Sequence, residues 1–450
     1  HIHALPYLLP KLGNPVIYTA PLTKALIEKR LEEFPNLPKA NFIIVNPGDK
    51  VKISEHIDAE FFPISHTIYD AIGIIFTTPI GRIVHFGDFR LETDRAGKPT
   101  NLGVFERLGT MGIHTVFMDS TNALKEGFSL SEDLIAENLE GLFKTAHGRI
   151  IVAMFASTLN RLDTVIKIAD KLGRKVALNG RSMRDNIQIA QNLGYIKPRK
   201  GHIVPIEEIN KHPDAKVMIL TTGSQGEPNS GLMRIVNGEH HLISLKPTDT
   251  VIFSSSVIPG NERSIQGLQD NISRQVDELY NSKLLDIHVS GHAYAEDLKL
   301  VMQLVKPRFI VPVHAYYFMR KHVIKLAEQV GIPKDRVMIL DNGQVAKLTR
   351  ENFAITSETV PTSYVMVDGL GVGDVEEVVL RDRMTLAKEG MVVIIATVER
   401  ATGRVIKNPD IISRGFILLK DNREILEEIR KRLRTIFSRI KVQEVETDYL

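Results

Sequence analysis

Hydrophobic positions change their period along the chain. Through the first 125 residues they fall in short β runs, PVIYT, NFIIVN, AEFFPIS, AIGIIFTT, RIVHFGD and TVFMD. One charged helix, PLTKALIEKRLEEF, interrupts them after a proline suited to a first helical turn. From about residue 130 helix and strand periods alternate. Ser131 can cap a helix with Glu132 and Asp133 in its first turn, and Ile135, Leu139, Leu142 and Phe143 repeat at helical spacing. RIIVAMF follows, then STLNRLDTVIKIADKLG, where Leu162, Val165, Ile166 and Ala169 share a face and Gly173 ends the helix. Strands KVAL, KVMILTT and TVIFSSS lie between helical stretches, so residues 130–285 read as a parallel α/β unit. LLDIHVSGH, AEDLKLVMQLVK and RFIVPVHA predict strand, helix, strand. From 377 a β-rich stretch with PDIISRGFILL leads to an amphipathic helix over 421–438.

Composition narrows the chemistry. A chain of 450 residues with 43% apolar content can bury two or three cores, which excludes disorder. Lys plus Arg number 57 against 54 for Asp plus Glu, so a polyanion site has to be a local patch. With no Cys, disulfides and thiolate zinc ligands are absent, and any metal falls to the 15 His and the carboxylates. No run of eighteen apolar residues suggests a membrane span, and a cytoplasmic location is expected.

Polar residues at strand ends project from a rigid core into a cleft. His66, Asp88, His292 and His314 each follow a predicted strand. Taken singly, each reads equally as a hydrogen-bonded structural residue. As a dispersed set without Cys they fit nitrogen and oxygen coordination of a two-metal hydrolytic site.

SHTIYDAIGIIFTTPIGRIVHFGDF resembles two ligand motifs of the metallo-β-lactamase fold, carried by His66 and Asp88. FMDST, SGHAYAEDL and VPVHAYY resemble the three further motifs of the β-CASP nucleic-acid hydrolases, at Asp119, His292 and His314. TTGSQGEP, SSSVIPGNE and PDIISRGF extend the resemblance to the ribonuclease J family over essentially the whole chain. It implies an α/β metallo-β-lactamase αββα sandwich with an inserted α/β β-CASP domain and a partial C-terminal α+β region. The implied domains are 1–129, core; 130–285, β-CASP; 286–376, second part of the core; and 377–450, linker and C-terminal region. HIHALPYLLP matches the last His of the family's H-x-H-x-D-H motif, which makes His1 a metal ligand and His3 its variable neighbour, with the preceding ligands missing from this sequence.

The resemblance implies Zn2+, two per complete site, with Mn2+ or Mg2+ as alternatives. His66 and Asp88 serve one ion, while His1, Asp88 and His314 serve the other, Asp88 bridging. His292 and Asp119 are implied as the catalytic pair, Asp119 orienting His292. Phe155, Ala156 and Ser157, where a strand turns into a helix, and His288, Val289, Ser290, Gly291 and His292 are implied RNA contacts. The strand-to-helix turn independently offers free N–H groups to a phosphate, although Ser157 reads equally as an N-cap. Arg161, Arg181 and Arg184 are further backbone-contact candidates, and Gly223–Gly226 a weak anion loop. Tyr294 stands where the family has a small residue holding the 5′ phosphate, and Ala315-Tyr316 where it has Gly-Glu. The expected function is 5′→3′ hydrolysis of single-stranded RNA from 5′-monophosphate ends, with internal cutting, by a protein that is a homodimer or homotetramer at full length. The alternatives are a noncatalytic RNA-binding or assembly fragment, which the missing ligands would favour, and a β-CASP nuclease of another branch acting on DNA.

Overall fold

Two six-stranded sheets account for most of the buried apolar runs. The computed structural model describes residues 2–362 and, beyond them, 367–368, 371–372, 385–386, 388–397, 399, 406–414 and 423–437. The chain divides into two units, 1–362 and 363–450.

In the first unit, β1 (Val16–Thr19) and β2 (Asn41–Ile44) pair in parallel on either side of the helix Pro21–Leu31. The first large sheet then forms from β3 (Lys50–Ser54), β4 (Ile57–Pro63), β5 (Ile72–Thr78) and β6 (Gly81–His85). A short hairpin, β7 (Glu92–Thr93) with β8 (Pro99–Thr100), precedes β9 (Ile113–Asp119). The second sheet follows: β10 (Ile150–Ala153), β11 (Lys175–Asn179), β12 (Ile203–Val204), β13 (Val217–Thr221), β14 (Thr250–Phe253) and β15 (Glu278–Asn281). β16 (Phe309–Val313) returns to the first sheet beside β9.

The order β12-β11-β13-β10-β14-β15 is parallel throughout, as the alternating periods predict. β10, β13 and β14 are buried at every residue, the signature of a parallel sheet covered on both faces. Ile150 and Val152 face a core shared with Ile135, Leu139, Phe143 and Leu162, and with Leu22 and Leu26 of the early helix. Ile151 and Ala153 face the opposite core with Ile219, Leu232 and Leu268. Ser131 caps the helix Glu132–Thr145 by accepting from the Asp133 N–H, and Gly173, at φ +67, turns the chain out of the helix Leu159–Lys171.

The first sheet runs β16-β9-β6-β5-β4-β3, parallel across β16, β9 and β6 and antiparallel beyond. Its core takes Phe62, Ile75, Val84, Met118 and Ile310 from strands, and Phe105, Leu298, Val301 and Leu326 from the helices Gly103–Thr110, Ala295–Val305 and Tyr317–Gln329. The mixed α/β class agrees with expectation. In the second unit Met391–Ile395 pairs antiparallel with Asp410–Arg414, and Arg423–Phe437 is helical. Gly415 and Phe416 of PDIISRGF lie outside the described residues.

One expected strand is absent. LLDIHVSGH forms no ladder, and the strand of this region lies earlier, at β15. Ile287 and Val289 are buried alternately, which mimics a strand's period, but side chains take the segment's carbonyls: Arg161 and Ser254 donate to Ile287 O, and His66 to Gly291 O.

At the entry to the parallel sheet, Arg149 donates from Nε and Nη2 to the two carboxylate oxygens of Asp249 at 2.8 and 2.6 Å, both side chains being almost wholly buried. The pair joins the starts of β10 and β14. Arg149→Ala strands a buried carboxylate and is expected to lower the unfolding free energy by about 3–5 kcal/mol. Denaturant midpoints at unchanged m-value would measure this, and a loss below about 1 kcal/mol would contradict it.

Candidate metal centre

Four strand ends of the first sheet deliver the polar residues. β9 finishes on Asp119, in register with Val313 at the end of β16, so His314 emerges beside it. Asp88 lies three residues past β6, after Gly87 at φ +69, and His66 three past β4. His292 arrives on the irregular segment that replaces the expected strand.

One ligand atom each from Asp88, Asp119, His292 and His314 falls within 4.8 Å of the others. His292 Nδ1 donates to Asp119 Oδ2 at 2.6 Å. His314 Nδ1 is 3.5 Å from Asp88 Oδ1 and 3.8 Å from Asp119 Oδ1. The His66 ring meets the His292 ring edge-on at 5.3 Å, and the His292 and His314 rings stack at 5.4 Å. His66 Nδ1 lies 2.8 Å from Gly291 O, and because a carbonyl only accepts, Nδ1 carries the proton and Nε2 is left as a lone-pair donor. That tautomer is what a metal-binding imidazole needs. Burial, ahead of the charge on His292, also lowers the His66 pKa and favours the neutral ring.

Burial alone would raise the Asp119 pKa, yet hydrogen bonds from His292 and His314 more than offset it and hold the carboxyl well below the usual range. His314 is raised, first by its bond to Asp119 and then, against the cost of burial, by Asp88. Two carboxylates converging on one imidazole nitrogen can hold a proton or a cation, and a donor set of His nitrogens and Asp oxygens suits zinc or another borderline divalent ion. The residues present therefore fit a metal.

Two residues that the sequence reading passed over, Thr121 and Asn122, hold this arrangement. Thr121 N–H donates to Asp119 Oδ1 at 2.9 Å, and its hydroxyl lies 2.6 Å from the same oxygen, 2.8 Å from His314 O and 3.0 Å from His314 Nδ1. His314 has φ +56, a left-handed conformation that costs a residue other than glycine about 1–3 kcal/mol and persists where neighbours enforce it. Asn122 Nδ2 donates to Ser290 Oγ at 2.9 Å and to His292 O at 3.1 Å, tying the β9 loop to the incoming segment. Gly291 was proposed for its place in a motif; its geometric role is closeness, since a Cβ there would lie 2.5 Å from His66 Cε1. The signal for Thr121 was present in FMDST: a Thr two residues after an Asp forms the turn that caps the Asp side chain.

The other expected residues separate. His1 lies outside the described residues. Phe155, Ala156 and Ser157 turn from β10 into the helix Leu159–Lys171 and line a cleft of about 640 Å³ together with Arg181 and Thr222. Ser157 does not cap that helix: Thr158 holds the cap position and turns its hydroxyl back to Phe155 O. Arg161 is no solvent-facing RNA contact. Its side chain is buried and donates twice to Glu132, and to Ser254 Oγ and Ile287 O. Arg181 and Arg184 are exposed. In the Gly223–Gly226 loop, Gln225 is buried and bonded to Ser256 O and the Ile258 N–H, so the loop is tied to the segment that follows β14. Val289 is buried, and His288 Nδ1 is buried with no hydrogen-bond partner among the described residues.

Comparisons with known proteins cover nearly the whole chain. Residues 147–272 match the family model for the ribonuclease J β-CASP domain, 281–336 the zinc-dependent metallo-hydrolase RNA specificity domain, and 378–449 the ribonuclease J C-terminal domain. Ribonuclease J 1 of Streptococcus pyogenes is 38% identical over 98% of this chain and 78% of its own length. Ribonuclease J of Thermus thermophilus is 40% identical over 96% and 75%, and ribonuclease J2 of Bacillus subtilis 32% over 96% and 77%. A crystal structure of a protein of unknown function from Enterococcus faecalis shares the fold, at TM-score 0.52 and 15% identity over 75% of each chain.

Two outcomes test the site. Gly291→Ala forces the His66 ring aside and is expected to weaken metal binding about 10- to 100-fold by calorimetric titration, as loss of an orienting contact does elsewhere; unchanged affinity would remove His66 from the centre. Burial first, then the Arg161 charge, holds the His288 pKa down to about 3 from 6.5. The unfolded chain takes up this proton at higher pH than the folded one, so stability falls as pH drops from 6.5 towards 3. His288→Gln should flatten that slope in denaturation measured against pH, and parallel curves would contradict it.

Proposed function

The chain belongs to the ribonuclease J family and, as such, is a metal-dependent ribonuclease; we propose that it removes nucleotides 5′→3′ from single-stranded RNA bearing a 5′ monophosphate and also cuts internally. The observation that carries this is the convergence of Asp88, Asp119, His292 and His314, with the His66 ring against His292 and its Nδ1 held by Gly291 O. We assign His66, Asp88 and His314, with His1, as the zinc ligands, zinc being favoured by the nitrogen and oxygen donor set. When bound, zinc supplies an acidified water and neutralises charge on the phosphate.

The protein's own groups do the rest. Asp119, ionised and buried, accepts from His292 Nδ1 and stabilises the imidazolium, whose Nε2–H can pass a proton to the leaving oxygen. Thr121 steadies Asp119 and the strained His314 together. The N–H groups of Ala156 and Ser157 make no hydrogen bond among the described residues and precede a thirteen-residue helix, an arrangement able to take a backbone phosphate.

The domain reading of 1–129, 130–285, 286–376 and 377–450 is supported by the separation of the two sheets along the chain. Assembly as a homodimer or homotetramer and a cytoplasmic location rest on the resemblance. Among the described residues no helix is long and apolar enough to cross a membrane.

His66→Ala or Asp88→Asn is expected to abolish zinc- or manganese-stimulated release of nucleoside monophosphates from 5′-monophosphorylated RNA, and His292→Ala to lower kcat about 10²- to 10⁴-fold. Unchanged rates would remove these assignments. Side-by-side digestion of single-stranded DNA would overturn the RNA reading if DNA were cut faster.

A further inference from the structure

Three consecutive aromatic residues stand in solvent just past the metal centre. Tyr316, Tyr317 and Phe318 are 63%, 55% and 58% exposed. The Tyr316 and Phe318 rings are parallel within 8°, with centroids 6.1 Å apart. Burying such a ring is worth about 1.5–3 kcal/mol, so the exposure is costly. Tyr316 precedes the helix Tyr317–Gln329 without capping it and follows His314 by two residues, which keeps their Cα atoms within about 7 Å.

The helix is cationic at this end, with Arg320, Lys321, His322 and Lys325 and no acid before Glu328. Phe318, Lys321 and Lys325 are spaced three and four apart and share one face, and both lysines are exposed. Arg320 is engaged elsewhere: it donates to Leu340 O and Asp341, and covers the Tyr317 ring at 5.6 Å. Tyr316 and Phe318 are therefore the open pair.

We propose that Tyr316 and Phe318 form a base-stacking platform for single-stranded RNA beside the scissile phosphate, with Lys321 and Lys325 meeting backbone phosphates one and two turns further along the helix. The ligand class rests on the ribonuclease reading. Aromatic faces followed by a line of cations match an unpaired nucleic-acid strand, whereas the core of an interface between two protein copies is depleted in lysine.

The chain contains no Trp, so Phe318→Trp installs a single indole reporter. With divalent metal chelated to prevent cleavage, titration of this variant with a ten-nucleotide RNA is expected to quench the indole saturably, and a base-free ribose-phosphate oligomer of equal length to leave it unquenched. Tyr316→Ser with Phe318→Ser should weaken RNA binding about 5- to 150-fold, the range for loss of one stacked base, while Tyr316→Phe retains it. Lys321→Ala with Lys325→Ala should reduce the slope of log affinity against log salt by about 1.4. Equal quenching by both oligomers, or unchanged affinity in the double Ser variant, overturns the platform. So does a fall in molecular mass of that variant with RNA affinity intact, which would mark the patch as a contact between copies. Quenching in a preparation that cuts no RNA supports the platform and counts against the ribonuclease reading alone.

Discussion

One buried carboxylate organises the site. Asp119 ends β9, flanked by β16 and β6, and is only 1% exposed. A carboxylate in that position is tolerable only when its lone pairs are met, and they are met by His292, by Thr121 and by the approach of His314. The groups that satisfy Asp119 are thereby aimed at the space where Asp88 stands. The hydrogen bonds that satisfy the buried carboxylate are also the ones that orient these imidazoles.

The segment from 285 to 293 transmits this order between the two sheets. Ile287 and Val289 belong to the core of the parallel sheet, while Ala293 belongs to the core of the mixed sheet and donates its N–H to Phe89 O at 2.7 Å. Arg161, reaching from the helix Leu159–Lys171, binds both Ile287 O and Glu132, and Glu132 also receives Arg90. His292 is thus positioned by a buried polar network spanning both sheets, and that network accounts for the displacement of Arg161 from the RNA-facing role.

Much of the fold was legible in the sequence because burial imposes its period on residue type. The Ser131 cap, the Gly173 stop and the continuous apolar runs of β10, β13 and β14 each obey a local rule, and local rules survive folding. His66, Asp88 and His314 were legible for a related reason, since polar residues following apolar strands are conspicuous; Asp119 entered through its resemblance to a family motif, and His292 through a strand the fold lacks. The failures have a common cause. LLDIHVSGH carries a strand's alternation, but alternation reports burial and not whether a neighbouring backbone is present. Arg161 and Ser157 have the residue types of surface contact and cap, yet their roles depend on partners 29 to 126 residues distant or on a one-residue shift of the helix start.

The sequence by itself determined the α/β alternation, the strand ends that carry His and Asp, and the exclusion of thiolate chemistry, because each follows from residue type and spacing along one chain. Only the tertiary structure decided which nitrogen of His66 is free, why residue 291 has no side chain, how Thr121 steadies His314, and that Tyr316 and Phe318 lie parallel in water. Those are distances between segments far apart in the chain, and the packing of two sheets sets them.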